Sequence, residues 1–350
     1  MKFLDYITSK AQALYWNEII SAKSEKPFLG DELFPTRKKL GLNLEWIKGA
    51  NQQAVALHLS AFDAKVLKRN RIGFKTMSAK MPFFKDSLDI DEELRQQLLM
   101  LSESNVAFAQ ELIRRIFDDN MTLIKSAAVT REMLRMQLLT TGTIAVANNG
   151  QEYLYDYGMA AWQKRDAETA WTNPAADIAG DIIAAQDEAI EKTGVKPTRM
   201  IMRTSVFRNL MKNNYIKNYL YVLANGAVNA NEADVRRYFS EQFGITSIAL
   251  YDKTYVDVDG TSRFFLPDDL AILVPEGNIG YTWMGTTPEE ADLLGTKQAD
   301  VSIVDTGVAV TVTRETDPVR VVTKVSEIVL PSAENIDKVV IIDIDGTTTE

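Results

Sequence analysis

Residues 27–98 read PFLGDELFPTRKKLGLNLEWIKGANQQAVALHLSAFDAKVLKRNRIGFKTMSAKMPFFKDSLDIDEELRQQL. Three textures follow one another in this stretch. Up to about residue 54, Pro27, Gly30, Pro35, Gly41 and Gly49 punctuate short apolar pieces such as Leu33-Phe34 and the run 42–47, which predicts short elements and no long helix. Residues 61–85 then carry seven basic side chains, Lys65, Lys68, Arg69, Arg71, Lys75, Lys80 and Lys85, against the single acid Asp63. The sign reverses at once, with Asp86, Asp89, Asp91, Glu92 and Glu93 in the next eight residues. Carboxylates there suit the positive end of a helix, and Asp91 stands where a cap belongs. On charge alone, a solvated loop followed by an ordinary cap is the simpler account.

Downstream, Leu94, Leu98, Leu101, Phe108, Leu112 and Ile116 recur at helical spacing. Asp118-Asp119-Asn120 predicts a break, with a second helix over 120–139 that Gly142 stops. Met133, Met136 and Met159 read as core filler. TIAVA and QEYLYDYG around Asn148-Asn149-Gly150 predict a β-hairpin. Asn173-Pro174 predicts the start of a helix bearing Ile178, Ile182, Ile183 and Ile190 and ended by Gly194. A buried strand is expected at 198–203, short helices at 205–223 and 231–243, and mostly strand thereafter. The tail 300–331 is β throughout, with an Asp317-Pro318 turn between two strands. Helices early and strands late make an α+β chain.

Composition removes most chemistry. The 350 residues include no cysteine and one histidine, His58, so disulfides, thiolate metal sites, iron–sulfur clusters, cysteine nucleophiles and multi-histidine centres are excluded. The net charge of -9 argues against a protein whose main work is gripping DNA phosphates. No apolar run is long enough for a membrane span, and residues 1–20 lack the layout of a secretory signal, so a soluble intracellular protein is expected. Those first residues read as an amphipathic arm with Phe3, Leu4, Ile7, Leu14 and Ile19 available to a partner. Neither a phosphate-cradling glycine loop nor a G-x-S-x-G elbow is present. His58 with Ser60 on an apolar run lacks an orienting carboxylate and reads as structural. Asp257 to Gly260 (DVDG) starts like a calcium loop, but the twelfth position is Asp268 and not glutamate, so a hairpin turn is expected. Asp343 and Asp345 in VVIIDIDGTTTE are similar to the nucleophile motif of haloacid-dehalogenase-type phosphatases. That chemistry needs a long domain after the motif, so a terminal strand with a polar tail is expected, and the magnesium-dependent phosphatase is a remote alternative.

Two sets of residues point one way: 27–98 above, and AAVTREMLRMQLLTTGTIAV at 127–146. TNPAADI from Thr172, MIMRTSVFRNL at 200–210 and GTSRFFLPDDLAILVP from Gly260 follow in the same order. Over about residues 27–330 the chain resembles the tailed-phage major capsid proteins of the capsid protein E family, of which the phage lambda shell protein is the familiar member. The resemblance implies the α+β Hong Kong 97-type phage capsid fold. Its parts would be an N-terminal arm (1–54), an extended β-hairpin loop (55–90), a peripheral domain with a helical insertion at 94–118, a long spine helix and a hairpin (91–172), an axial domain (173–275), and a return to peripheral strands and tail (276–350). It implies hexamers and pentamers of an icosahedral shell enclosing double-stranded DNA. Portal, scaffolding and decoration proteins would be partners, DNA contact would be weak and non-specific, and no membrane would be involved. The location would be the virion capsid, reached from the host cytoplasm. No catalytic, cofactor or metal residues are implied. Lys65, Lys68, Arg69, Arg71, Lys75, Lys80 and Lys85 become assembly contacts, since a hairpin of about 25 residues reaches about 40 Å, enough to cross a neighbour. Some relatives join a loop lysine to a neighbour's asparagine; Asn335 is the candidate here, and no such cross-link is expected. A non-viral compartment or phage-derived particle shell of the same fold is the alternative.

Overall fold

The computed structural model describes residues 7–22, 27–48, 75–104, 106–148, 151–223, 231–293, 296 and 299–346. Their contacts separate into two units, one drawn from 1–44, 78–135 and 281–332, the other from 45–77, 136–280 and 333–350.

The first unit is organised by its longest strand, β16 (Val319–Pro331). It pairs antiparallel with β15 (Val308–Thr316) and with β4 (Phe83–Ile90), and its last residues pair with β13 (Thr282–Met284). With β1 (Thr36–Lys38) and β14 (Asp300–Val304), the order is β1-β13-β16-β15-β14, and β4 lies beside β16. The first half of β16 alternates, burying Val321, Thr323 and Val325; from Ser326 onward every residue is buried, as a strand covered on both faces requires. The tail holds one more turn than expected. Asp305, at φ 49°, lies in a turn between β14 and β15, so 300–331 makes three strands and not two.

Helix α1 (Ser9–Ala22) packs on β14 and β15, and a short helix α2 (Leu29–Leu33) follows it in the chain. Ser9 secures its first turn, donating from its backbone N–H and hydroxyl to the two carboxylate oxygens of Asp300 at 2.6 and 2.8 Å. Ile7 clusters with Ile90, Ile116, Val312 and Val321. The expectation of a free arm is corrected accordingly: Ile7 and Trp16 are buried in the chain's own core, whereas Leu14 is 60% exposed. Phe3, Leu4 and the Ile19 side chain lie outside the described residues.

Helix α3 (Glu92–Ser104) starts at the predicted cap, where the Asp91 carboxylate accepts the N–H of Leu94 at 2.8 Å. Helix α4 (Val106–Thr141) then runs 36 residues, about 54 Å at 1.5 Å per residue. The break expected at Asp118-Asp119-Asn120 is absent. Asn120 is buried and donates to Thr323 Oγ1 at 3.5 Å, and Asp118 accepts from the Tyr15 hydroxyl at 2.8 Å; such contacts outweigh the weak helix propensity of three short polar residues. The spine helix thus starts at Val106, and the insertion expected at 94–118 divides between α3 and α4. Gly142, at φ 71°, follows its end as predicted.

The second unit holds a five-stranded mixed sheet in the order β7 (Lys164–Asp166), β17 (Val340–Asp343), β12 (Leu270–Val274), β8 (Arg199–Met202), β9 (Ser247–Leu250). Met200, Met202, Ala271, Leu273, Val340 and Ile342 cluster with a layer of helices, α5 (Ile178–Thr193), α6 (Thr204–Lys212), α7 (Asn214–Leu223) and α8 (Glu232–Phe243). The alternate residues Ile201, Ile272 and Ile341 are buried as well, which is why these strands are written as continuous apolar runs. Two hairpins, β5–β6 (Thr143–Asn148, Gln151–Asp156) and β10–β11 (Thr254–Val256, Ser262–Phe264), lie where the sequence predicts them. Two expectations change. Helix α5 begins at Ile178, with Asp177 as the cap accepting from Gly180 N–H at 3.0 Å, and Pro174 sits in the preceding turn. The last strand, β17, lies between β7 and β12; of the stretch 276–350, expected as peripheral strands and tail, residues 281–332 fall in the first unit and 276–280 and 333–350 in the second.

Candidate assembly surfaces

The basic stretch divides. Lys65, Lys68, Arg69 and Arg71, like His58 and Ser60, lie outside the described residues. Lys75 opens and Lys80 closes β3 (Lys75–Lys80), which pairs with β2 (Asn43–Lys48). Lys85 stands in β4 opposite Ser326, its ammonium 5.8 Å from the Phe83 ring centre. Of the stretch 55–90, expected as an extended β-hairpin loop, residues 75–80 form β3 and 83–90 form β4, and residues 55–74 lie outside the described residues. Among the described residues β4 is paired on one side only, and Lys85, Asp86 and Asp89 place charges along that edge, which discourages stray pairing. The acids that follow act inside the subunit. Glu92 accepts the N–H of Val319 at 2.8 Å, and Asp89 lies 3.5 Å from Arg320, which also meets Glu315 at 2.5 Å. Asn335 is engaged within its own chain, donating to Asn278 O at 3.1 Å and accepting from Lys338 at 2.9 Å.

A second set of charges lies where the sequence reading placed only core. Arg131, Glu132 and Arg135 occupy one buried turn of α4. Glu132 accepts the backbone N–H of Gly30 at 3.1 Å. Arg135 donates to Thr282 Oγ1 at 2.8 Å, to Asp31 at 2.6 Å and to Thr36 Oγ1 at 3.3 Å, and lies 3.5 Å from Glu132. Arg131 reaches Asp305 at 3.0 Å and Glu327 at 3.2 Å. A Cβ at Gly30 would stand 2.5 Å from Arg135 Cδ, so only glycine permits this approach. One helical turn thereby fixes the segment 30–36, the turn at Asp305 and two strands of the sheet. Burial pushes the Glu327 carboxyl up to about 7 against the opposing pull of Arg131, and its Oε1 has no hydrogen-bond partner among the described residues. At Arg131 burial acts to lower the pKa, and Glu327 and Asp305 outweigh it, holding the guanidinium above its usual range. The signal was present as arginines four apart among apolar residues, but such a pattern reads as a solvated face until the facing strands are known.

The phosphatase-like and calcium-like motifs resolve into structure. Asp343 ends β17 opposite Leu270 and Asp166 and accepts the N–H of Asp345 at 3.0 Å. Burial raises its pKa, with Asp269, Asp166 and Asp345 adding to the rise and the Asp345 N–H opposing it. Among the described residues no three acidic or histidine side chains are placed to hold a metal ion. Residues 257–260 turn the β10–β11 hairpin, with Arg263 bridging Asp257 at 3.2 Å and Asp259 at 2.7 Å. No helix among the described residues is long and apolar enough to cross a membrane.

A spine helix, a sheet led by one long strand and a helix-covered mixed sheet define the Hong Kong 97-type capsid fold. The chain belongs to the phage major capsid protein E family, which it matches over residues 15–344. It is similar in structure to a prophage protein of Escherichia coli CFT073 described as a capsid protein (TM-score 0.60, 18% identity, 97% of this chain and 99% of that one). A phage-related protein from Bordetella bronchiseptica RB50 is similar over 98% and 99% of the two chains (TM-score 0.57, 12% identity). The capsid of cyanophage A-1(L) is similar over 92% and 93% (TM-score 0.51, 13% identity). No curated protein matches the chain by sequence.

Proposed function

We propose that this chain is the head-shell subunit of a tailed phage, forming hexamers and pentamers of an icosahedral shell around double-stranded DNA. The observation that carries this reading is the family match over residues 15–344. The first unit would serve as the peripheral domain and the second as the axial domain, with the basic residues Lys65, Lys68, Arg69 and Arg71 on a loop laid across a neighbour. A shell subunit needs large, individually reversible contacts, which multivalency converts into a stable particle. Scaffolding, portal and decoration proteins are the partners such a shell takes. The net charge of -9 keeps contact with packaged DNA weak. Assembly would take place in the host cytoplasm.

The role is structural, without catalysis. Asp343→Asn and Asp345→Asn are expected to change no enzymatic property; magnesium-dependent hydrolysis of a phosphate ester that disappears in either variant would overturn this. Electron microscopy of the full chain expressed with its flanking genes tests the main reading. Closed shells are expected, and a compact monomer alone would contradict it. Terminase and portal genes beside this one would separate a phage head from a cellular compartment of the same fold.

A further inference from the structure

The helices of the second unit carry opposite charge on different elements. Helix α5 holds Asp181, Asp187, Glu188 and Glu191 against one base, Lys192; Asp181 accepts from Trp171, Glu188 pairs with Arg165, and the exposed Glu191 lies 2.8 Å from its neighbour Lys192. Helices α6 and α7 hold Arg208, Lys212 and Lys217 and no acid at all. Those three basic residues are exposed and their charged groups pair with no described residue; Asp187 is likewise exposed and unpaired among them. On each side the charges accompany apolar surface left open by the isolated subunit. Ile183 and Ile190 flank Asp187 on the outer face of α5 at 47% and 39% exposure, and Tyr215, at the start of α7, is 57% exposed. Apolar side chains ringed by complementary charge are the make-up of a protein–protein contact, where charge sets partner and register.

We propose that the acidic outer face of α5 on one subunit docks against the basic face of α6 and α7 on the next copy of this chain. The inference rests on the shell-subunit reading and assigns one of its contacts. Two different patches on one chain make a head-to-tail contact, which closes into a ring when the rotation per subunit permits. The same basic residues facing packaged DNA is the competing arrangement, but DNA would leave Ile183 and Ile190 of α5 uncovered.

The test uses full-length chain expressed with its flanking genes. The triple variant R208E/K212E/K217E and the double variant D187K/E191K should each lower the yield of closed shells at least ten-fold, while circular dichroism and the melting temperature of the free subunit stay at wild-type values. Combining the two sets should recover most of the yield, because the charges are exchanged and not lost. Should a variant misfold, zero-length carbodiimide coupling of wild-type shells decides: Asp187 or Glu191 of one copy should be found joined to Lys212 or Lys217 of another. Normal shells from either variant, failure of the folded combination to recover, or the absence of those coupled peptides would each overturn the contact. Triple-variant shells of normal yield but reduced DNA content would also overturn it and assign the face to DNA. Wild-type chain that forms no shells would instead defeat the shell-subunit reading itself.

Discussion

Arg135 takes its partners from the 30–36 segment, from its own helix and from β13, so its removal isolates more than one group. Arg135→Met removes the guanidinium that lies 3.5 Å from the buried Glu132 carboxylate and is expected to cost about 3–5 kcal/mol, the range for breaking a buried pair. Adding Glu132→Gln should return part of that loss, because the amide oxygen still accepts from Gly30 while the buried negative charge is gone; urea denaturation of single and double variants measures both. Glu327 supplies a pH dependence. Its carboxyl rises from an ordinary 4.5 to about 7, so between those values the folded chain keeps a proton that the unfolded chain releases. Stability from this group is therefore complete below pH 4.5 and is lost as the pH climbs through 7. The urea midpoint should fall from pH 5 to pH 8.5, and Glu327→Gln should flatten that fall; an unchanged slope in the variant would assign the titration elsewhere.

Elements here are delimited by short polar contacts more than by propensity. Asp91 caps α3 through the N–H of Leu94, and Asp91→Ala should cost about 1 kcal/mol, read as a lowered urea midpoint at unchanged slope. Helix α4 shows the opposite case, in which Asp118, Asp119 and Asn120 lie within a helix although each favours caps and turns. Asn120 bonds Thr323, and Gln12 of α1 donates to the same hydroxyl at 3.2 Å, so one residue of β16 meets both helices. That junction exists only once the sheet has formed. Position 120 therefore reads as a boundary in isolation and as a helix interior in the fold.

At the scale of the assembled molecule the test falls on Lys68, Arg69 and Arg71, the charges proposed above to lie across a neighbouring subunit. If these three serve assembly as proposed, reversing them to Glu should leave the subunit folded, since a solvated charge contributes about 0–1 kcal/mol per pair within a chain. It should nonetheless block or misdirect shell formation, because like charges forced together at an interface cost several kcal/mol. Circular dichroism melts beside negative-stain imaging check this, and normal particles from the triple variant would remove the loop from the interface. The contrast with residues 86–93 is instructive. Asp89, Asp91 and Glu92 act within their own subunit, capping α3 and holding the start of β16.

The order and type of elements were largely legible in the chain itself. The α5 terminus at Gly194, both hairpins, the short helices between 204 and 243 and the buried strands of the second unit rest on local periodicity and on turn chemistry, which neighbouring residues alone determine. The family was legible too, because 27–98 and 127–146 keep a recognisable order of structural residues. What the tertiary structure decided depends on partners distant in sequence. It joined α4 across residues 118–120, moved β17 into the second sheet, drew Ile7 into the core, and buried Arg131 and Arg135 among carboxylates up to 196 residues away. A charged or short polar side chain has no fixed meaning in one dimension. Whether it is solvated, capped or buried is set by the desolvation it suffers and the partners that face it, and both arise only when separate segments pack together.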